Sequence, residues 1–257
     1  MLKTLLCTLL LTPMLAHAAE HCSFQAPRNT AIDLSGVHTI VINVGYHYLH
    51  LVGSPTSNVK VEGRACASAA NLLGGLQLTQ RRDGDRLILT EANGTNTWNS
   101  FSIFGSHYAY LDLNINVPAN LPIEVDVGSG DADVVGVSRL SANTHSGDLH
   151  VHSVSGRFDA NVGSGDVDAA DVGEVHVGSV GSGDFKADRV HGNVQIASIG
   201  SGDATLHTVD GSVDVGSVGS GDLRVNGVTH DLHVHSVGSG DVEHNGVVGH
   251  VDVPKQD

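Results

Sequence analysis

Seven aspartates recur at nearly constant spacing in the C-terminal half of the chain. Each ends a Gly-Ser-Gly-Asp motif (His-Ser-Gly-Asp in the second copy), and successive aspartates are 17, 18, 18, 19, 19 and 19 residues apart. They are Asp131, Asp148, Asp166, Asp184, Asp203, Asp222 and Asp241. Stacked in one column, these carboxylates would repel one another unless solvated, hydrogen-bonded or bridged by a cation. We predict that they cap turn amides and that the protein has no resident cofactor; a calcium-binding column is the alternative.

Histidine is abundant, with 17 copies in the chain. Alignment of the repeats predicts one outward-facing column: Asp159, His176, Gln195, Asp214, His233 and Asp252. In this column, His233 between Asp214 and Asp252 is suited to a transition metal or to a pH-dependent charge pair. One histidine per coil gives no compact tetrahedral ligand set. We therefore expect a solvated column, with the metal site as the alternative.

Half of the ten aromatic residues fall within thirteen positions, namely Trp98, Phe101, Phe104, Tyr108 and Tyr110. Aromatic side chains beside polar ones are typical of surfaces that bind sugars or partner proteins. Trp98, Tyr108 and Tyr110 are therefore the candidate binding residues. Burial as a cap over one end of the fold is favoured for Trp98, Phe101 and Phe104, whereas we expect the two tyrosines to be exposed.

The elements that position these residues are short strands. In each repeat of about eighteen residues, apolar residues alternate with polar ones on both sides of a second turn, which predicts two strands with one buried face. Such a unit buries its apolar face only by stacking on its neighbours. A propeller blade needs about forty residues, so the repeat predicts a parallel β-solenoid of seven coils over residues 128–257. We attribute the motif's glycines to turns that require a positive φ.

Residues 19–127 are less regular but show the same alternation, for example at Ile40, Ile42 and Val44. We interpret them as a β segment that starts or caps the solenoid and belongs to the same domain, because open sheet ends need a cover. Pro254, Lys255 and Asp257 are suited to protecting the other end.

Residues 1–18 are typical of a secretory signal peptide: Lys3 precedes an apolar run that ends in Ala16-His17-Ala18. Export favours a disulfide between Cys22 and Cys66, the two cysteines after this segment, over two buried thiols. The net charge of −15 argues against nucleic-acid partners and against binding to anionic membranes. No apolar stretch is long enough for membrane insertion.

The motifs together resemble a bacterial family. Val59-Lys60-Val61-Glu62-Gly63, the turn at residues 83–87 and the strand at residues 113–118, leading into Gly-Ser-Gly-Asp repeats, are similar to the "putative adhesin" family of head GIN type. The resemblance covers nearly the whole chain after residue 18. It implies a right-handed β-solenoid in an exported protein and supplies no catalytic residues.

No nucleophile elbow, zinc-protease motif or phosphate-binding loop occurs in the sequence. We therefore predict a non-catalytic scaffold, periplasmic or at the cell surface, that contacts a polysaccharide, a protein or another envelope component and that could form homo-oligomers. A carbohydrate-active enzyme with acidic residues on the solenoid face and a calcium-stabilised rod are the alternatives.

Overall fold

The computed structural model describes residues 22–92 and 108–254. These residues form short β-strands and one 3-10 helix (Ala70–Gly75). The strands are β1 (Phe24–Pro27), β2 (Thr30–Ile32), β3 (Thr39–Val44), β4 (Tyr48–Ser54), β5 (Val59–Ala67), β6 (Gln77–Asp83), β7 (Arg86–Ala92), β8 (Ala109–Pro118), β9 (Pro122–Val127), β10 (Asp131–Val135), β11 (Arg139–Thr144), β12 (Leu149–Val162), β13 (Val167–Val180), β14 (Phe185–Val190), β15 (Val194–Ile199), β16 (Ala204–Val209), β17 (Val213–Val218), β18 (Leu223–Val228), β19 (Leu232–Val237), β20 (Val242–Val247) and β21 (Val251–Asp252).

The repeats form the predicted β-solenoid. Strand β17 pairs in parallel with β15 and β19, whereas β18 pairs in parallel with β16 and β20. Alternate strands therefore build two faces, and each coil contributes one strand to each face. Strands β12 and β13 run through a corner and contribute to both faces.

Apolar residues of each coil stack on those of the next. Val213, Val215 and Val218 are at most 2% exposed, and they lie opposite Leu232, Val234 and Val237 of the next coil. Period-two alternation places these side chains inside and leaves charged residues outside. The core is thus a continuous column of mostly β-branched side chains, which suit strands.

The repeat motif requires glycine for a different reason from the one that we predicted. We predicted a positive φ at these turns, but none of them has one; positive φ occurs at the opposite corner, for example at Gly227 and at Thr208. A Cβ added at Gly202 would lie 1.8 Å from the carbonyl oxygen of Gly183 in the preceding coil. The motif therefore needs glycine because successive corners lie too close for a side chain.

The N-terminal residues extend the same stack, but in a different order from the sequence. Strand β3 pairs in parallel with both β7 and β9, and β4 pairs in parallel with both β8 and β10. The coil made by β3 and β4 therefore lies between the coil of β7 and β8 and that of β9 and β10. The amide of Ala119 donates to the carbonyl of Ser54, and the amide of Ser138 donates to the carbonyl of Ala119. The short link from β8 to β9 therefore forms the corner after the end of β4, between the carbonyl of Ser54 and the amide of Ser138.

Antiparallel strands cover the N-terminal end of the stack. On one face β5 pairs with β8, β1 and β2, and on the other face β6 pairs with β7. A disulfide joins Cys22 and Cys66, as predicted. Lys255 and Asp257, expected to protect the other end, lie outside the described residues, as do residues 1–18. Within the described ranges, no helix has the length and apolar character needed to cross a bilayer.

Candidate functional site

All four tyrosines of the chain occur on the first coils of the stack. Tyr46 lies between β3 and β4, and Tyr48 is the first residue of β4. Tyr108 directly precedes β8, and Tyr110 is the second residue of β8. Because β4 and β8 are adjacent parallel strands, the Tyr48 and Tyr110 rings meet edge to face with centroids 6.0 Å apart. The Tyr108 ring lies 6.2 Å from that of Tyr110. We call Tyr48, Tyr108 and Tyr110 the tyrosine surface, with Tyr46 at the adjoining corner.

Exposure within this group differs from our expectation. Tyr108 and Tyr110 are half-buried, whereas Tyr46 and Tyr48 are 50% and 49% exposed. The Tyr108 hydroxyl donates to Ser23 Oγ and accepts from the Ser23 amide, both at 2.9 Å, which anchors this ring beside the disulfide. Tyr46 and Tyr48 were not among the candidate binding residues predicted from the sequence. Trp98, Phe101 and Phe104 lie outside the described residues.

A shallow acidic groove of about 350 Å³ adjoins Tyr48. Its walls include Asp112, Asp131, Asp133 and Asp148. Arg64 holds Asp112 through an Nε to Oδ2 ion pair of 3.0 Å. An aromatic surface bordered by carboxylates can stack on the apolar face of a sugar ring while accepting hydrogen bonds from its hydroxyls. It is equally suited to a cationic side chain.

The seven aspartates form a hydrogen-bonded ladder. The amides of the six aspartates after Asp131 each donate to Oδ1 of the aspartate one coil earlier, at distances between 2.9 and 3.2 Å. The carboxylates therefore accept from an amide in the next coil rather than from one in their own turn. Tyr48 occupies the aspartate position of the coil below Asp131. The tyrosine surface thus lies at one end of the ladder.

Arg224 adds a charge-assisted link to this ladder. Its guanidinium donates to Oδ2 of Asp203 at 2.8 Å and of Asp222 at 2.7 Å. The hydrogen bond from Arg224, followed by that from the Asp222 amide, lowers the pKa of Asp203 below its ordinary value. This carboxylate is therefore ionised at neutral pH. Calcium binding by this column stays the alternative prediction.

Substitution within the ladder separates turn capping from calcium binding. Asp184→Ala removes the oxygen that accepts from the Asp203 amide, so we expect a loss of about 1–2 kcal/mol in the free energy of unfolding. Asp184→Asn keeps a neutral oxygen acceptor and should cost less than half as much. Urea denaturation with EGTA and with calcium measures both variants. A calcium-dependent gain in the parent protein that either variant abolishes would favour the cation instead.

The predicted histidine column forms in the expected register, with Asp214, His233 and Asp252 on successive coils. The structure adds His235, whose Nδ1 lies 3.2 Å from Nε2 of His233. The sequence could have indicated this contact, because His235 follows His233 by two residues and residues two apart in a strand face the same side. Within the described ranges, Asp214, His233 and His235 are the one group of three potential metal ligands close enough to share an ion.

A family model described as "putative auto-transporter adhesin, head GIN domain" matches residues 39–248. This range includes both N-terminal coils and all seven motif aspartates. The chain belongs to this family. The head GIN assignment agrees with the resemblance stated from the motifs. It supports an adhesin-like role.

Solved structures with partial similarity include a putative adhesin from Bacteroides fragilis, at 14% identity and a TM-score of 0.49, covering 90% of this chain and 97% of that one. A putative cell adhesion protein from Clostridium sporogenes has 12% identity and a TM-score of 0.31, covering 89% and 99%. A putative lipid binding protein from Parabacteroides distasonis has 15% identity and a TM-score of 0.37, covering 88% and 96%. No curated protein matches the sequence of this head GIN protein.

Proposed function

We propose that this protein is an exported, non-catalytic scaffold that binds a cell-envelope polysaccharide through the tyrosine surface and the acidic groove beside it. The observation that carries this proposal is the gathering of all four tyrosines on the first coils, next to Asp112 and Asp131. Tyr48 in particular is 49% exposed and lines the groove together with Asp112 and Asp131. Large aromatic side chains exposed beside polar groups are typical of binding surfaces.

The regularity of the repeats supports a non-catalytic role. From residue 128 to residue 254, consecutive strands are joined by short corners, and the corners carry no inserted loops. A binding cleft for catalysis usually needs a concave, water-excluding pocket. The groove beside Tyr48 is shallow and polar, which is suited to contact with an extended ligand lying along the coils.

The disulfide supports export, because such bonds persist in oxidising compartments. The signal-peptide pattern at residues 1–18 adds to this from the sequence alone. We place the protein in the periplasm or at the cell surface. Its acidity favours a neutral or cationic partner rather than an anionic one.

A binding assay tests the proposal. The purified protein is co-sedimented with peptidoglycan sacculi, chitin and cellulose, and the supernatant is assayed for new reducing ends. We expect retention on at least one polysaccharide, with at least a tenfold loss of affinity in a Tyr48→Ala/Tyr110→Ala double variant, because central aromatics dominate binding energy. Val248→Ala is the matched control, since Val248 is 80% exposed at the other end of the stack.

Each result has a definite meaning. Retention that the double variant loses and the Val248 variant keeps supports the tyrosine surface. Equal retention by all three proteins contradicts it, as does no retention on any polysaccharide. Release of reducing ends contradicts the non-catalytic role and directs attention to the carboxylates of the groove.

A further inference from the structure

A second cluster lies far along the stack from the tyrosine surface, on β19. His233 and His235 are separated by one residue, so both face outward from the same side of the strand. The preceding coil places Asp214 opposite His233, and the following coil places Asp252 opposite it. Two imidazoles are therefore flanked by a carboxylate on each side along the stack.

The four side chains form a continuous chain of contacts. Asp252 Oδ2 lies 2.9 Å from Nδ1 of His233, Nε2 of His233 lies 3.2 Å from Nδ1 of His235, and Nε2 of His235 lies 3.4 Å from Oδ1 of Asp214. The two rings meet edge to face, with centroids 4.2 Å apart. The carboxylate of Asp252 favours the proton on Nδ1 of His233, which leaves the lone pair of Nε2 facing the cluster.

This arrangement matches the needs of a metal ion. One ligand atom from each of Asp214, His233 and His235 can be chosen so that all lie within 4.8 Å of one another. Zinc bonds of about 2.0–2.2 Å place tetrahedral ligand atoms roughly 3.3–3.6 Å apart, so small side-chain rotations suffice. Metal-bound histidines commonly have a carboxylate beside their other ring nitrogen, and Oδ2 of Asp252 lies 2.9 Å from Nδ1 of His233.

The charges of the cluster also favour a cation. Asp214 and Asp252 bring two negative charges, and neutral imidazoles bring none. Within the described part of the chain, neither carboxylate forms an ion pair with a lysine or an arginine. His235 is exposed, and Asp214 and His233 are half-buried, so an ion could enter and keep a water ligand.

We propose that Asp214, His233 and His235 bind a divalent transition metal ion such as zinc, with Asp252 positioning His233. Two nitrogen ligands and one carboxylate oxygen suit this class of ion better than calcium, which prefers oxygen alone. The site is separate from the proposed polysaccharide surface and does not depend on it. An ion there would join the coils of β17 and β19 near the C-terminal end of the stack.

The chain supplies its own control. Residues 149–154 and 232–237 have the same sequence, Leu-His-Val-His-Ser-Val, and His150 also lies between two aspartates, Asp133 and Asp168. In the first copy, however, Nε2 of His152 lies 3.4 Å from Asp171, away from His150. Asp171 has a positive φ at the corner of the next coil. Neighbouring residues therefore draw His152 away from His150 in the first copy, whereas His233 and His235 stay together in the second copy.

Zinc titration of the purified protein by calorimetry tests the site, and cobalt absorption reports its coordination geometry. We expect one saturable equivalent, weakened at least about tenfold by His235→Ala or His233→Ala and about 10–100-fold by Asp252→Asn. His152→Ala should change the affinity by less than about twofold. Far-UV circular dichroism confirms folding, which these surface substitutions should not disturb.

The contrary results are equally definite. The proposal fails if the parent protein has no saturable zinc site, or if the affinity is the same with and without His235. It also fails if His152→Ala weakens binding as much as His235→Ala does, because the ion would then be held by scattered surface histidines. A tetrahedral cobalt spectrum that His235→Ala abolishes supports it.

Discussion

An alanine at Gly202 should lower the free energy of unfolding by about 3 kcal/mol or more, the range of severe overpacking. Its Cβ would lie 1.8 Å from the oxygen and 2.8 Å from the carbon of the Gly183 carbonyl, and 3.0 Å from the carbonyl carbon of Ser182. All three atoms are backbone, so no side chain can rotate away. The two coils would have to separate.

That separation would break the hydrogen bonds of the corner. The amides of Ser201 and Gly202 both donate to the carbonyl of Gly181, at 2.8 and 3.0 Å, and the Asp203 amide donates to Asp184. The same approach recurs one coil away at Gly221, where the distance is also 1.8 Å. A displacement at one corner would therefore strain the next, as expected in a nearest-neighbour stack.

Gly74→Ala is the matched control, because a Cβ at Gly74 meets nothing within 4 Å and its φ is not positive. Urea denaturation followed by circular dichroism should show a change below about 1 kcal/mol for this variant. Ser201→Ala, beside the critical glycine, controls for the local change in composition. If Gly202→Ala is as stable as either control, close packing of the corners is not the reason for glycine in the motif.

The solenoid could be predicted because its evidence is local and repeated. The constant spacing of the aspartates, and alternation such as that at Val213, Val215 and Val218, fix the coil length and the buried face. The reason why the motif requires glycine could not be predicted in this way. A requirement for positive φ and a requirement for close approach both select glycine, and only the distance between coils distinguishes them.

The stacking order of the N-terminal coils also could not be predicted from the sequence. The corner after β3 reads Gly45-Tyr46-His47-Tyr48 and lacks the repeat motif, so nothing indicated that it lies directly below residues 128–131. The sequence order gave no sign that β7 and β8 lie on the outer side of this coil. For the same reason, the contact of Tyr48 with Tyr110 could not be anticipated from their separation of 62 residues.

The corner that carries Tyr46 and Tyr48 rests on a buried carboxyl group. Glu91 is only 5% exposed, and its Oε2 accepts a hydrogen bond from the Gly45 amide at 3.1 Å. Within the described residues, Oε1 has no hydrogen-bond partner. Burial raises the pKa of Glu91 from 4.5 to about 8, and the hydrogen bond from Gly45 offsets this only in part.

The folded protein should therefore lose stability as the pH rises from about 5 to about 8. In this window the unfolded chain releases the Glu91 proton while the folded chain retains it, so the folded state binds more protons and the free energy of unfolding falls with pH. The raised pKa corresponds to a total loss on the order of 5 kcal/mol, which levels off above pH 8.

Glu91→Gln isolates this effect, because an amide keeps an oxygen for Gly45 and carries no charge. Urea denaturation at pH 5, 7 and 9 should show this variant gaining stability over the parent protein as the pH rises. Glu243→Gln, at a carboxyl whose side chain is 75% exposed, should follow the parent at every pH. The difference between Glu91→Gln and the parent is the decisive quantity, because pH effects that are common to both proteins cancel in it. A difference that stays constant from pH 5 to pH 9 would mean that Glu91 is ionised in the folded protein and that its burial is compensated.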